Sequence, residues 1–301
     1  MTTTDPLTGA TARHTDFPPL PDLLIEPVVR AALAEDLGRA GDLTTAATID
    51  PGLTGTVALV AREAGVVAGL RAGLMSWRLL DPAVDVRALL PDGSPVQPGD
   101  EIALVTGPVH VLLTGERVAL NLVSHLSGVA SATAELVEAV AGTTARICCT
   151  RKTTPGLRAL EKDAVRAGGG SNHRFGLDDA VLVKDNHIAF AGGISPALAR
   201  LRERVGHLVR VEVEVDTLDQ LRDVLELGVA PGIVDAVLLD NMTPDVLTEA
   251  VALIDGRCLT DASGRITATT VRPVAESGVD LISVGWITHS APILDIGLDH
   301  R

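Results

Sequence analysis

From Ala145 onward one pattern repeats: a short apolar run, then a segment whose apolar residues fall at helical spacing. The runs are ARICCT, DAVLVK, LVRVEVEV, VDAVLLD, RCLTD and VDLISVG, separated by segments such as SPALARLRERVG and TLDQLRDVLELG. Parallel strands need a crossover between them, so this alternation predicts a parallel sheet of βα units. Six such units fit a barrel or part of one. A doubly wound open sheet is the alternative, but no G-x-G-x-x-G follows the first run, so nothing marks a dinucleotide site.

In (β/α) barrels chemistry sits at the C-terminal ends of the strands, where the loops converge. The residues ending the six runs are Arg151 with Lys152, Lys184, Glu214, Asp240, Asp261 with Ser263, and Gly285. Cations come first, then carboxylates, then small residues. Arg and Lys suit carboxylate or phosphate. Glu214 and Asp240 offer hard oxygens that suit Mg²⁺ shared with a phosphorylated substrate, and the late small-residue loops suit phosphate. The expected substrates are polyanions, at least one of them phosphorylated.

The cations are concentrated in TRKTTPGLRALEKDAVRAGGGSNHR, residues 150–174. There Arg151, Lys152, Arg158, Lys162, Arg166, Arg174 and His173 face only Glu161 and Asp163, in a chain of formal net charge -14. A sequence pI near 4.9 argues against nucleic-acid binding, which needs a broad basic surface. Within this segment Leu157, Leu160, Ala164 and Ala167 share one helical face, and Arg158, Lys162 and Arg166 recur every four residues on another, expected to be solvated. The glycines at 168–170 read first as a helix C-cap. His173 alone reads as a structural hydrogen-bonding histidine. Glu212, Glu214 and Asp216 point to one side of their strand, where ion pairing or exposure would account for any one of them. Lys184 leaves a Schiff-base, aldolase-like enzyme as a rival.

The N-terminal part differs. Residues 1–21 lack a basic start and an apolar core, and read as a disordered tail rather than a signal peptide. PDLLIEPVVRAALAEDLG is helical and stops at Gly38. GTVALVAREAGVVAGL, VDVRALL and DEIALVTG read as a small sheet around a helix at RAGLMSWRLL. A long helix from Gly115 joins this part to the repeating one, and Arg117 near its start reads as a surface residue. Cys148, Cys149 and Cys258 form no C-x-x-C pair and read as core positions in buried strands of a reduced, cytoplasmic protein. No run is long enough for a membrane span.

The segments ALAEDLGRAGDLTT, GERVALNLVSHLSGVASAT, TRKTTPGLRALEKDAVRAGGGSNHRFGLDDAVLVKDNH, VEVEVD, VLLDNM and SVGWITHSAPILDIGLD resemble quinolinate phosphoribosyltransferase over nearly everything after the tail. The resemblance implies an N-terminal α/β sandwich domain at residues 22–125, to which the C-terminus can return. It implies an incomplete, open α/β barrel of the type II phosphoribosyltransferase kind at 126–301. It further implies a homodimer with active sites near the subunit interface, higher assembly being left open. The implied reaction joins quinolinate to phosphoribosyl pyrophosphate with Mg²⁺, giving nicotinate mononucleotide, pyrophosphate and CO₂ in NAD biosynthesis. Thr150, Arg151, Lys152, His173, Arg174 and Lys184 would line the dicarboxylate site, with Arg117 reaching in from the partner subunit. Glu214 and Asp240 would lie near the ribose and Mg²⁺, while Ser263, Gly264, Arg265, Val284, Gly285 and Trp286 would hold the 5-phosphate. Lys152, Lys184, Glu214 and Asp240 would be the catalytic groups. Asp261, Arg265, Asp163 and Trp286 depart from the family pattern, which usually has Glu, a small or amide residue, an aromatic and a smaller residue there. A molybdenum-associated paralogue of the same fold, or a barrel that only binds a phosphorylated metabolite, are the alternatives.

Overall fold

The structure, a computed structural model, describes residues 18–229 and 233–301. Most of the expected tail lies outside the described residues. Two compact units emerge. One contains residues 18–134, Lys152–Gly170 and Trp286–Arg301, and the other contains Glu135–Arg151 and most of Ser171–Gly285.

The first unit opens with helix α1 (Asp22–Leu37) and short helix α2 (Leu43–Thr48). Asp42 caps α2 by accepting from the Thr45 backbone N–H at 2.9 Å, which satisfies a donor the helix cannot. Strands β1 (Thr54–Ala61) and β2 (Gly65–Val66), helix α3 (Leu70–Leu80) and strands β3 (Asp85–Ala88), β4 (Pro95–Val96) and β5 (Glu101–Pro108) follow. The main sheet is antiparallel with order β12-β1-β5-β3, where β12 (Ile296–His300) is the last strand of the chain. The C-terminus thus pairs with β1, Leu59 opposite Leu298. Below the sheet Trp77 is fully buried and gives its indole N–H to the Leu112 carbonyl at 2.9 Å.

Helix α4 (Val109–Ala139) begins six residues before the expected Gly115, because Val109, Val111 and Leu112 already carry the apolar stripe. Gly128 marks its closest approach to another segment: a Cβ there would lie 2.1 Å from the Pro292 carbonyl oxygen.

The second unit contains strands β6 (Arg146–Cys148), β7 (Val181–Val183), β8 (Val211–Val215), β9 (Ala236–Asp240), β10 (Leu259–Ser263) and β11 (Leu281–Ser283). Helix α5 (Arg158–Ala167), between β6 and β7 in sequence, groups with the first unit. Between the other strands lie α6 (Asp185–Ala191), α7 (Ile194–Arg204), α8 (Leu218–Leu227), α9 (Pro244–Ile254) and α10 (Val271–Glu276), and α11 (Trp286–His289) follows β11. Local chemistry sets several starts: Thr217 and Gln220 form a capping box on α8 and Pro244 opens α9.

All six expected runs are strands, every pairing is parallel, and the order is β6-β11-β10-β9-β8-β7. The order advances without reversal, and β6 does not pair with β7, so this is an open barrel rather than a doubly wound sheet. The cysteine reading needs two corrections: Cys149 is buried but follows β6 rather than lying in it, and Cys258 is only half-buried and precedes β10.

Replacing Gly128 with Ala should overpack this approach and cost roughly 1–3 kcal/mol. Thermal melts should show a clearly lower midpoint than for Gly206→Ala, where a Cβ meets nothing within 4 Å. Equal midpoints would mean that the Pro292 segment yields freely.

Candidate active site

Parallel pairing brings the C-terminal ends of the barrel strands to one side. β6 leads through Cys149 and Thr150 to Arg151, β7 ends just before Lys184, and β8 carries Glu212 and Glu214. β9 ends at Asp240, β10 carries Asp261 and ends at Ser263, and β11 leads to Val284 and Gly285. The ladder is continuous here, with Asp240 opposite Ser263, Ser263 opposite Ser283 and Ser283 opposite Cys148.

Lys184 Nζ donates to Glu214 Oε2 at 2.5 Å, and the Glu214 side chain is only 12% exposed. The Lys184 backbone N–H donates to His187 Nδ1 at 2.9 Å and so caps α6. Nearby, Arg174 donates to the Ala180 carbonyl at 2.9 Å, and burial together with the charge of Arg151 pulls its guanidinium below the usual value. Arg151 Nε is buried without a hydrogen-bond partner among the described residues. Two partly desolvated guanidiniums close together favour an anion between them.

A deeper group lies inside the barrel. His173 Nε2 is 2.6 Å from Glu212 Oε2 and 4.0 Å from Asp261 Oδ2, and Ser283 Oγ donates to Asp261 Oδ2 at 2.7 Å. Asp261 is fully buried, and its Oδ1 has no partner among the described residues. Burial first, and the Glu212 carboxylate second, push the Asp261 carboxyl up to about 7. The same surroundings raise the Cys148 thiol, through burial and then the Asp261 charge.

Sequence reasoning named Asp261 at the end of its run without giving it a role, and did not place Glu212 or Ser283 among the site residues. Glu212 shares its strand face with Glu214, one layer deeper. Choosing the residue nearest the end of β8 selects Glu214 and passes over Glu212.

After β9 and β10 the backbone is compressed. Asn241, at φ 54, and Arg265, at φ 50, adopt left-handed conformations around Gly264 at φ 109, and a Cβ on Gly264 would lie 2.4 Å from Asn241 Oδ1. Asn241 also donates to Asp240 Oδ2 at 2.5 Å. A cavity of about 480 Å³ is lined by Asn241, Met242, Gly264 and Arg265. The glycine is required here on two counts, positive φ and close approach. A larger cavity, about 750 Å³, lies in the first unit beside Leu70, Leu74 and Met75. Its charges include the exposed Arg71–Asp22 pair, and none of the strand-end residues lines it.

The first unit carries Arg117, Lys152 and Trp286. Arg117 is exposed, more than two turns inside α4, and Lys152 is exposed with its carbonyl held by Thr288 Oγ1 at 2.8 Å. The solvated-face expectation for α5 is overturned: Lys162 is fully buried, and Arg158 and Arg166 are partly buried. Glu161 is also fully buried, accepting from His125 Nε2 at 2.9 Å and from the Thr154 N–H at 3.0 Å, while Arg166 pairs with Asp163. A four-residue repeat cannot distinguish a solvated face from a paired and buried one. The glycine reading holds, since Gly170 N–H bonds back to the Val165 carbonyl with Gly169 at φ 84, closing α5 as a Schellman cap.

Asp261 has a consequence for stability. Its carboxyl titrates near 7 when folded against an ordinary value of 3.8, so across that range the folded chain holds a proton the unfolded chain has released. Stability should therefore fall as pH rises from about 4 to about 7. Asp261→Asn, still facing Glu212, His173, Ser283 and Cys148, should flatten this part of the melting-temperature profile. Parallel wild-type and variant profiles would exclude Asp261 as its source.

Comparison with known proteins agrees with this architecture. The family model for the N-terminal domain of quinolinate phosphoribosyl transferase matches residues 42–127, and that for its C-terminal domain matches 129–299. A nicotinate-nucleotide pyrophosphorylase (carboxylating) of Mycobacterium leprae is 44% identical over 279 residues, covering 90% of this chain and 95% of its own. A probable nicotinate-nucleotide pyrophosphorylase (carboxylating) of Bacillus subtilis is 42% identical, covering 88% and 89%. The crystal structure of NadC from Streptococcus pyogenes aligns with a TM-score of 0.88 at 40% identity, covering 95% of this chain and all of that one. With both family models matched in order across a sandwich-type sheet and an open parallel barrel, the chain belongs to the quinolinate phosphoribosyltransferase family.

Proposed function

We propose that this protein is a pentosyltransferase that joins quinolinate to phosphoribosyl pyrophosphate and releases pyrophosphate and CO₂, forming nicotinate mononucleotide for NAD biosynthesis in the cytoplasm. The observation that carries the reading is the order of groups along the strand ends: cations after β6 and β7, carboxylates on β8 and β9, and a glycine-containing left-handed loop after β10. That order follows the charges of the reactants.

Arg151, Arg174, His173 and Lys184 take the two carboxylates of the pyridine, with Thr150 and Lys152 beside them. An incoming carboxylate offsets the mutual repulsion of Arg151 and Arg174 and gives Lys184 a partner besides Glu214. Ser263, Gly264 and Arg265, with Val284, Gly285 and Trp286, hold the 5-phosphate, and the close packing of Gly264 on Asn241 supports backbone approach to an anion there. Asp163, on α5, lies outside this set.

Glu214 and Asp240 fit Mg²⁺: both are carboxylates on neighbouring strands, and a magnesium site of few protein carboxylates completed by substrate phosphates is the usual arrangement. When bound there, such an ion would supply charge neutralisation for the departing pyrophosphate. The two carboxylates act on the other partner, since loss of pyrophosphate builds positive charge at the ribose C1 and anionic groups nearby stabilise it. The ring nitrogen bonds to C1 as the C1–O bond to pyrophosphate breaks. The pyridinium so formed accepts the electron pair of the bond to the departing CO₂, and a proton then takes the place of CO₂ on the ring. Chain groups orient the acid and exclude water.

Two experiments test this reading. Mixing the protein with quinolinate, phosphoribosyl pyrophosphate and Mg²⁺ should release pyrophosphate and CO₂ in equal amounts, and no release of either would reject the assignment. Asp240→Ala and Glu214→Ala should each lower kcat by about 10²-fold or more while quinolinate affinity by calorimetry changes far less. A matching loss of quinolinate affinity would move these residues to the acid-binding side.

The proposed assembly is a homodimer in which Arg117 of one subunit completes the site of the other. Its exposure on α4 supports a role outside its own core. Arg117→Ala and Lys184→Ala proteins, each inactive alone, should regain activity when unfolded and refolded together, because one site of the mixed dimer has both side chains. No recovery, with mixed dimers shown to form, would place Arg117 in its own subunit's site.

A further inference from the structure

Besides the strand-end residues given a role above, the barrel interior holds buried polar groups that the reaction as derived does not use: Glu212, Asp261 and Ser283. They come from β8, β10 and β11: Glu212 and Asp261 face one ring, His173, which reaches them from the segment before β7, and Ser283 backs Asp261. Burying two carboxylates in a barrel core is costly, and a core of this size could be filled with apolar side chains instead. The side chains of Glu212 and His173 are only 10% and 15% exposed, so their contact at 2.6 Å is shielded from water. Such a contact sets the orientation of an imidazole, and the partner of one ring nitrogen governs what the other can do.

The geometry points to Glu212 as a positioning residue for dicarboxylate capture, acting through His173 with Asp261 and Ser283 behind it. Glu212 fixes the plane of the imidazole and supplies the negative charge opposite the side on which a substrate carboxylate docks. A ring that donates to Glu212 on one side and to a ligand carboxylate on the other must carry both N–H groups, and the buried carboxylate is what accommodates that ring. Asp261, held by Ser283 at 2.7 Å, limits how far the ring can swing toward β10. The inference rests on the reading of His173 as a quinolinate contact.

The test is a double-mutant cycle on the full-length protein, using quinolinate and its ring-carbon analogue phthalate as probes. Glu212→Gln should weaken binding of both, by calorimetry without phosphoribosyl pyrophosphate, by about ten-fold to a hundred-fold, the range for a hydrogen bond to a charged group. KM for quinolinate should rise in step while KM for phosphoribosyl pyrophosphate stays unchanged. In a His173→Gln background the same substitution should have little further effect, because the ring it positions is gone. If Glu212→Gln does not fold, Glu212→Asp carries the cycle, with a smaller loss of dicarboxylate affinity that again vanishes without His173. Additive losses in the two backgrounds would overturn the proposal, as would a fall in kcat with dicarboxylate affinity unchanged. A stoichiometric divalent metal that co-purifies with the wild type and is lost from Glu212→Gln would also overturn it, making His173, Glu212 and Asp261 a metal site instead. Wild type that binds neither dicarboxylate would reject the functional reading itself, which the cycle does not touch.

Discussion

The parallel pairing of β6 to β11 is the constraint on which the rest of the candidate site depends. Parallel strands cannot be joined by tight turns, so each must return through a crossover and all point the same way. Residues far apart in sequence, such as Lys184, Glu214 and Asp240, therefore come to the same end of one sheet. The register also aligns the strands with one another: Asp240, Ser263, Ser283 and Cys148 pair in one row across β9, β10, β11 and β6, and Glu214 and Asp261 both lie opposite Leu238. A one-residue slip of β8 would turn both its glutamates away from Lys184 and His173 together.

Access to solvent, which the register alone does not set, then divides the site into an upper, open layer and a lower, enclosed one. In the upper layer Lys184 meets Glu214 directly, and the pair can be rearranged by an incoming anion. In the lower layer Asp261 is fully enclosed, and a carboxyl with burial and a neighbouring carboxylate against it holds its proton to near neutrality. The upper layer suits contact with charged reactants. The lower layer suits holding a ring in place, because groups that exchange with water neither stay fixed nor keep their interactions strong. The acidic character of the whole chain is no obstacle to binding polyanions, since the cations that matter lie at the strand ends and exposed charges beyond about a Debye length are screened.

Much of this was legible from residue order. Short apolar runs alternating with helical segments located all six barrel strands, and the residue ending each run identified Arg151, Lys184, Glu214, Asp240 and Ser263 as strand-end groups. Contacts that depend on depth or on distant partners were not legible. Lys162 lies on what looks like a charged helical face, yet it is fully buried beside an equally buried Glu161. Periodicity reports which residues share a face and not what that face meets. Glu212 was visible as one of three alternating acids, but only pairing with a histidine 39 residues earlier separates it from Asp216, which is exposed. Alpha-helix α4 starts earlier than its glycine suggested, because Gly115 lies inside the helix where a Cβ would strike Trp77.

The loop after β10 joins these themes. Gly264 has two constraints, a backbone angle that only glycine adopts easily and a contact with Asn241 that leaves no room for a side chain. Arg265 follows it in a left-handed conformation that a long side chain occupies at some cost in energy. With its side chain exposed beside the cavity of about 480 Å³ it shares with Asn241 and Met242, the residue adds a positive charge to that opening. A small residue would meet the backbone geometry more easily but bring no charge. The arginine therefore makes sense as an exchange of local backbone ease for a positive charge at this end of the barrel.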